Sequence, residues 1–212
     1  MKDEIAEALV AIGGVGFSPL APITFKSGIK SPVYCDNRKF PFWPEQWTKV
    51  IRGFERYTHD HHIEFDVVGG IEAAGIPHSA ALGFAMAKPS IFIRKEAKSH
   101  GAKKRVEGGD VAGKRLLLVE DLVTTGSSSL SAVEALRAEG AIVTDCLAII
   151  SYSMPEATEA FAKHGVTLHP LTNFEAVLPV AIERGIIDET GATSVRDWLR
   201  DPYGWAARHG LE

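Results

Sequence analysis

The sequence predicts an α/β protein with a mostly parallel, twisted sheet and helices on both of its faces. Short apolar segments that suit buried strands alternate with helical patterns from residue 66 to residue 168. Glycine and proline mark most of the boundaries between these segments. The chain has 212 residues, 45% of them hydrophobic, and we find no linker or internal repeat. We therefore expect a single domain over residues 1–212.

The N-terminal part of the chain lies outside this alternation. Apolar residues from Ile5 to Ile12 have helical spacing, and Gly13 ends the pattern. Residues 17–36 favour extended structure with turns, and Pro44 opens the next helix. Together with the C-terminal tail, residues 1 to about 45 are expected to form a small cap over the carboxyl edge of the sheet, where ligands bind in such folds.

The remaining elements follow in order. They are a strand at 66–69, a helix from 75 to about 86, strands at 91–93 and 115–119, a helix ending at Gly140, a strand at 146–150, a helix from Pro155 and a strand at 166–168. A helix with apolar positions from Phe174 to Ile182 comes next. A last short helix is expected to begin at Ser194, with Asp197 in capping-box position. Residues 95–109 have no apolar period and predict a loop with the hinge freedom of a lid.

Charge and cysteine content exclude several classes of protein. The net charge of −4 argues against a general nucleic-acid binder. No apolar run approaches the roughly 18 residues of a membrane span, and the N-terminus lacks the apolar core of a signal peptide. Cys35 and Cys146 lack metal-ligand spacing. We expect reduced thiols in a cytoplasmic protein whose partners are small molecules.

The most informative segment is Leu116–Ser128, which reads LLLVEDLVTTGSS. An apolar strand ends in two carboxylates, and a small-residue loop then leads into a helix. Backbone N–H groups at a helix N-terminus attract an anion, and Gly126 lets the backbone approach it closely. The acidic pair Glu120 and Asp121 suits sugar hydroxyls or Mg²⁺ rather than phosphate. The segment therefore predicts a site for a phosphorylated sugar.

The alternative is a loop without a ligand. Turns rich in serine and threonine are common between strands and helices, and many of them bind nothing. The adjacent Glu120 and Asp121 favour a site, because two like charges at a strand end are costly without partners.

A basic segment follows the strand at 91–93. Residues 94–105 contain six lysine or arginine residues and a single glutamate. Such a segment is often only a solvated surface. Here it leaves the same sheet edge as the small-residue loop, which suggests a polyanionic leaving group or a nucleotide. Arg94 suits bidentate binding of oxygens, Lys98 suits developing charge, and His100 suits proton donation.

Three motifs together resemble a known family. Residues 116–128 are similar to the diphosphosugar-binding signature of the type I phosphoribosyltransferases. Residues 25–38 resemble the N-terminal signature of the orotate-specific members of that family, and residues 94–101 resemble their flexible catalytic loop. The turn at 74–77 and the segment 173–185 are also similar to family segments, so the resemblance covers roughly residues 15–200.

The resemblance implies a type I phosphoribosyltransferase fold and transfer of phosphoribose from 5-phosphoribosyl 1-diphosphate to orotate, with Mg²⁺. It implies catalysis by Lys98, Asp121 and Lys26, and orotate contacts from Thr124 and Lys26. The residues that it implies for the diphosphosugar are Arg94, Lys95, Lys98, His100, Glu120, Asp121, Leu122, Val123, Thr124, Thr125, Gly126, Ser127 and Ser128. No direct protein ligation of the metal is expected, except through Asp121. Arg94, Lys98 and His100 would reach the neighbouring site of a homodimer, and Lys95 would serve its own.

The sequence departs from the family pattern in two places. Some members carry a lysine for diphosphate where this chain has Ala73 and Ala74. Some also have an orotate-binding arginine after the strand that corresponds to 146–150, whereas this chain has Ser151–Met154 there. Another cation must then serve the diphosphate. Backbone N–H groups near Lys26 and Ser27 are candidates for the carboxylate of orotate.

Two other functions remain open at this point. One is a phosphoribosyltransferase for a purine or another base, and the other is a regulator that senses the diphosphosugar and binds nucleic acid. The complete basic segment at 94–100 favours catalysis, because a sensor has no leaving group to protect. The acidic net charge and the lack of an added DNA-binding helix pair also argue against a regulator.

Overall fold

The computed structural model describes residues 1–25, 28–96 and 104–211. Its strands are β1 (Val15–Phe17), β2 (Ile23–Thr24), β3 (Lys30–Ser31), β4 (Val33–Cys35), β5 (Val67–Ile71), β6 (Ser90–Ile93), β7 (Val106–Glu107), β8 (Arg115–Val123), β9 (Ile142–Ser151) and β10 (Thr167–Asn173). Its α-helices are α1 (Lys2–Ala11), α2 (Pro44–Asp60), α3 (Gly75–Ala85), α4 (Ser127–Ala138), α5 (Pro155–Lys163), α6 (Phe174–Glu183), α7 (Glu189–Arg200) and α8 (Trp205–Arg208). A 3₁₀-helix at Asn37–Phe42 joins β4 to α2.

The central sheet has six strands in the order β10-β9-β8-β5-β6-β7. Five of these strands are parallel, and the short β7 pairs antiparallel to β6. The predicted mostly parallel α/β sheet is therefore confirmed. The chain enters the sheet at β5 and builds it in both directions from there. The loops after β5 and β8, which are neighbours, consequently meet at the carboxyl edge.

Both faces of the sheet are buried. Successive strand residues point to opposite sides, so each strand contributes to two cores. Val68, Leu117 and Leu147 belong to a core that includes α1, α2 and α6. Val67, Leu116 and Leu118 belong to a second core with α4 and α5. Helices thus cover the two faces, which explains why β8 and β9 read as nearly continuous apolar runs.

The segment from β1 to β4 contacts the C-terminal helices. The indole N–H of Trp198 donates to the Lys30 carbonyl at 2.8 Å, and the Phe25 ring lies edge-on to Trp198 at 6.0 Å. Trp198 and Trp205 are fully buried. The first helix, α1, packs instead against α2, α6 and β10.

Several predicted boundaries are wrong. Strand β9 begins at Ile142 rather than at residue 146, and β10 continues to Asn173 rather than ending at residue 168. Strand β8 continues to Val123 instead of ending at residue 119, because its pairing with β9 extends to Ser151. Helix α7 begins at Glu189 rather than Ser194, because the Asp188 carboxylate accepts the Gly191 N–H at 2.7 Å and caps the helix earlier. The predicted loop at 95–109 contains β7, which pairs with β6.

A search of the described residues for helices with the length and hydropathy of a membrane span finds none.

Candidate active site

The carboxyl ends of β5 and β8 border a cleft of about 240 Å³, which we call the β8 cleft. It is lined by Ile71, Glu72, Ala73, Ala74, Lys95 and Glu120–Ser129. Every site residue predicted between Glu120 and Ser128 therefore lies on this one surface. The acidic pair forms one wall, and the start of α4 forms another.

Gly126 sets the shape of the loop before α4. Its φ of +82° lies in the left-handed region, where a side chain is strained. A Cβ atom at this position would stand 2.7 Å from Cε2 of the buried Phe161 ring. Both constraints require glycine at this position, so the tight turn into α4 depends on Gly126.

The N-terminus of α4 offers donors to an anion. No side chain caps this helix, so its first backbone N–H groups, from Ser127 onward, are not used by an N-cap residue. The Thr125 and Ser127 hydroxyls lie 3.0 Å apart at the mouth of the loop. Free N–H groups, hydroxyls and the helix dipole together favour a phosphate group at this point.

The two carboxylates lie inside strand β8 rather than beyond it. Glu120 is buried, and Asp121 is half-buried. The Asp121 backbone N–H donates to Glu120 Oε1 at 3.1 Å, and the Asp121 carbonyl accepts Asn37 Nδ2 at 2.9 Å. Asn37 is fully buried, so the 3₁₀-helix holds the backbone at the acidic pair in place.

Burial raises the pKa of both carboxyl groups. The pKa of Glu120 is well above its usual range, first because the group is buried and then because Asp121 is adjacent. Lys95 acts in the opposite direction on Glu120. The pKa of Asp121 is also raised by burial. Positive charge in the cleft would favour the ionised form of this pair. Carboxylate oxygens are also the ligands that Mg²⁺ prefers.

This arrangement predicts the effect of Glu120→Gln on stability. The unfolded carboxyl group loses its proton near pH 4.5, whereas the folded one keeps it to higher pH. Glu120 therefore opposes folding increasingly as the pH rises above 4.5. We expect Glu120→Gln to raise the Tm of the ligand-free protein by several degrees at pH 8.

At pH 4 the two proteins should unfold at more similar temperatures, because Glu120 is then mostly protonated in both states. Thermal unfolding across this pH range checks the prediction, and equal Tm values at pH 8 would contradict it. Glu159→Gln is a suitable control, since Glu159 is an exposed residue of α5.

The structure separates Lys95 from Arg94. Lys95 lines the β8 cleft, and its backbone N–H donates to Glu72 Oε2 at 3.0 Å. The Arg94 guanidinium instead lies 3.8 Å from Glu107 Oε1. The Arg94 backbone is fixed by Arg105, whose backbone carbonyl accepts the Arg94 N–H at 2.8 Å. Adjacent residues in the sequence thus point to different surroundings.

Lys26, Lys98 and His100 lie outside the described residues. Their predicted roles stay predictions. Ala73 and Ala74, which replace the family's diphosphate lysine, do line the β8 cleft. Lys95 is the one cation on the described lining of this cleft, and it is therefore placed to supply positive charge there.

A second cleft, the α7 cleft, lies at the carboxyl ends of β9 and β10. Its volume is about 400 Å³. It is lined by Tyr152, Ser153, Asn173, Phe174, Glu175, Leu178, Arg196, Leu199 and Arg200. The two arginines have no local signal in the sequence, because nothing in the pattern of α7 indicates that they lie in one cleft with residues 152 and 153.

The two clefts share a wall. Val123 lines the β8 cleft, and its carbonyl accepts the Tyr152 N–H at 3.0 Å and the Ser151 hydroxyl at 3.3 Å. The sequence does not predict the contact of Asn37 with the acidic pair or the shared wall of the two clefts. Asn37 lies within the recognised segment 25–38, so that signature is the signal that points to it.

The described residues contain no group of three or more histidine, cysteine, aspartate or glutamate side chains arranged to hold a metal ion.

The parallel sheet, the small-residue loop before α4 and the acidic pair are features of a phosphoribosyltransferase. Residues 45–180 match the phosphoribosyl transferase domain, and the chain belongs to this family of enzymes. It is 40% identical to the orotate phosphoribosyltransferase of Coxiella burnetii over 202 residues, which are 95% of this chain and 97% of that protein.

Solved structures show the same fold. The orotate phosphoribosyltransferase of Aeropyrum pernix has 27% sequence identity and a TM-score of 0.72, over 85% of this chain and 98% of that one. The Mycobacterium tuberculosis orotate phosphoribosyltransferase in complex with 5-phospho-α-D-ribosyl 1-diphosphate has 25% identity and a TM-score of 0.64, over 82% and 98% of the two chains. The predicted type I phosphoribosyltransferase fold is confirmed.

Proposed function

We propose that this protein is an orotate phosphoribosyltransferase of pyrimidine nucleotide biosynthesis. It transfers the 5-phosphoribosyl group from 5-phosphoribosyl 1-diphosphate to orotate and yields orotidine 5′-monophosphate and diphosphate. One observation carries this proposal: Glu120 and Asp121 line the same cleft as the loop at 124–128. The near full-length similarity to the Coxiella burnetii enzyme supports orotate as the acceptor.

The cleft suggests a division of roles. The N-terminus of α4, with Thr125–Ser128, binds the 5′-phosphate through backbone N–H groups and hydroxyls. Glu120 and Asp121 face the ribose hydroxyls and stabilise positive charge as the bond from C1 to the diphosphate breaks. Leu122 and Val123 line the floor, and Thr124 contacts the base.

Mg²⁺ is the proposed cofactor. The buried acidic pair fits a hard cation with oxygen ligands, and Asp121 is the residue that would contact it. When bound with the substrate, the ion supplies charge compensation for the diphosphate. The chain's own residues position the sugar, and cations from the basic segment stabilise the leaving group.

We further propose a homodimer with shared active sites. Lys95 lies in the cleft of its own chain, whereas the Arg94 guanidinium is turned toward Glu107 and leaves that cleft to Lys95. The different orientations of Lys95 and Arg94 support the proposal that Arg94, together with Lys98 and His100, binds substrate in the active site of the neighbouring subunit. The large side chains Phe42 and Phe84 are 82% and 92% exposed in the single chain, as residues covered by a second copy would be.

Hybrid dimers test this assembly. A Lys98→Ala chain mixed with a Gly126→Asp chain should regain part of the activity that each homodimer lacks, because one composite site in the hybrid is intact. Activity after demonstrated subunit exchange is the measurement. No recovery would mean that each site is built from a single chain.

The acceptor is tested with a panel of bases. Purified protein receives 5-phosphoribosyl 1-diphosphate and Mg²⁺ with orotate, uracil, hypoxanthine or adenine, and loss of each base is followed. We expect orotate to be consumed far faster than the others, because cations near the base favour its carboxylate. Equal consumption of uracil or hypoxanthine would preserve the family assignment and contradict the proposed substrate.

A cytoplasmic location is also proposed. Cys35 and Cys146 are both buried and free, which suits a reducing compartment.

A further inference from the structure

We propose that Arg200, in the α7 cleft, binds the carboxylate of the acceptor base. This inference rests on the proposed function, because orotate is an anion and the other bases in the panel are neutral. Arg200 is exposed on the last turn of α7. Its side chain has no hydrogen bond or ion pair within the described ranges, so the guanidinium is available to a ligand.

The position of the cleft supports this role. The β8 cleft and the α7 cleft lie side by side at the carboxyl edge, joined through the bond from the Tyr152 N–H to the Val123 carbonyl. A transferase must hold its acceptor beside its sugar donor. The α7 cleft is next to the proposed donor site and is about 400 Å³ in volume, which is larger than a single pyrimidine ring requires.

The cleft also has an aromatic floor. Tyr152 stacks on Phe174 with ring centroids 4.8 Å apart and an angle of 4° between the rings. Leu178 and Leu199 add apolar surface. The two rings are only 3% and 1% exposed, so they form a rigid apolar base beneath the cleft rather than a free face for stacking.

On the lining of the α7 cleft positive charge exceeds negative charge, although both arginines also border a groove that contains Asp188, Glu189 and Asp197. Arg196 and Arg200 face a single acidic residue of the lining, Glu175, toward which Asn173 Nδ2 points at 3.5 Å. Arg196 is already engaged with Glu189 at 3.4 Å. The partnerless Arg200 is therefore the principal candidate, and Arg196 adds long-range attraction.

Steady-state kinetics on four variants test the proposal. Arg200→Gln should raise the KM for orotate about tenfold to a hundredfold, the loss expected for a charge-assisted hydrogen bond. The KM for 5-phosphoribosyl 1-diphosphate should change less than about twofold, because the donor cleft is intact. The KM of Arg200→Lys for orotate should lie between those of the wild type and Arg200→Gln, since lysine keeps the charge without the planar guanidinium.

Two further variants are controls. Arg184→Gln removes an equally exposed arginine that follows α6 and lines neither cleft, and it should leave both KM values unchanged. Arg196→Gln should have a smaller effect on orotate than Arg200→Gln. An unchanged Tm for each variant shows that the fold is intact, as expected for exposed side chains.

An unchanged orotate KM in Arg200→Gln would overturn the inference. An equal rise in both KM values would also overturn it, because Arg200 would then act on the diphosphate or on the structure. Wild-type protein that leaves orotate unreacted would contradict the proposed function itself, and this inference with it.

Discussion

Substitution of Gly126 by aspartate is expected to lower kcat/KM for 5-phosphoribosyl 1-diphosphate roughly a thousandfold or more. The φ of +82° strains any side chain, and its Cβ would meet Phe161 at 2.7 Å. The added carboxylate also repels the 5′-phosphate at the N-terminus of α4. Steady-state kinetics measure the loss.

The control is Gly165→Asp. Gly165 has a φ of +61°, but a Cβ there has no heavy atom within 4 Å. This variant carries the same change of charge and a similar backbone strain away from the cleft, so its activity should stay within about threefold of wild type. Comparable losses in the two variants would show that strain, rather than the phosphate site, explains the result.

Replacement of Asp121 by asparagine is expected to have the second large effect. We expect kcat to fall about a hundredfold, because the amide cannot stabilise the positive charge that develops on the sugar. Binding of ribose 5-phosphate should change little, since the α4 N-terminus remains. The Asn37 contact should also persist, because it uses the Asp121 backbone carbonyl.

Kinetics combined with calorimetric titration of ribose 5-phosphate separate the two roles. Asp3→Asn, at an exposed position of α1, serves as the control and should behave as wild type. Normal turnover with weakened ribose 5-phosphate binding in Asp121→Asn would contradict the proposed role. The carboxylate would then act in phosphate binding rather than in the chemical step.

Most of the sheet could be predicted from the sequence because its strands are apolar runs bounded by glycine and proline. The end of β8 could not be predicted in this way. Glu120 and Asp121 look like the start of a loop, but the pairing of Val123 with Ser151 in β9 keeps them within the strand. Such pairing joins distant parts of the chain and leaves no local signal.

The start of α7 has a different explanation. Gly191 lowers helix propensity and favours a later start, whereas the Asp188 cap stabilises the earlier one. Strand β7 and helix α8 have only two and four residues, which is too short for a recognisable period. The tertiary contacts of these elements decide their structure.

The β8 cleft was predictable because its residues are contiguous in the sequence from Glu120 to Ser128. The α7 cleft was not, because it joins residues 152–153 and 173–178 to residues 196–200. A long side chain such as that of Arg200 has no local signature of function on an amphipathic helix. Only the folded chain places it in the same cleft as Tyr152.

The central claim is tested most directly by ³¹P NMR of the wild-type protein with 5-phosphoribosyl 1-diphosphate, Mg²⁺ and orotate. We expect the donor resonances to be replaced by those of one nucleoside monophosphate and one diphosphate in equal amounts. Without orotate, or with uracil in its place, the donor should persist over the same period. Formation of diphosphate without a nucleotide, or no orotate-dependent reaction, would contradict the assignment as an orotate phosphoribosyltransferase.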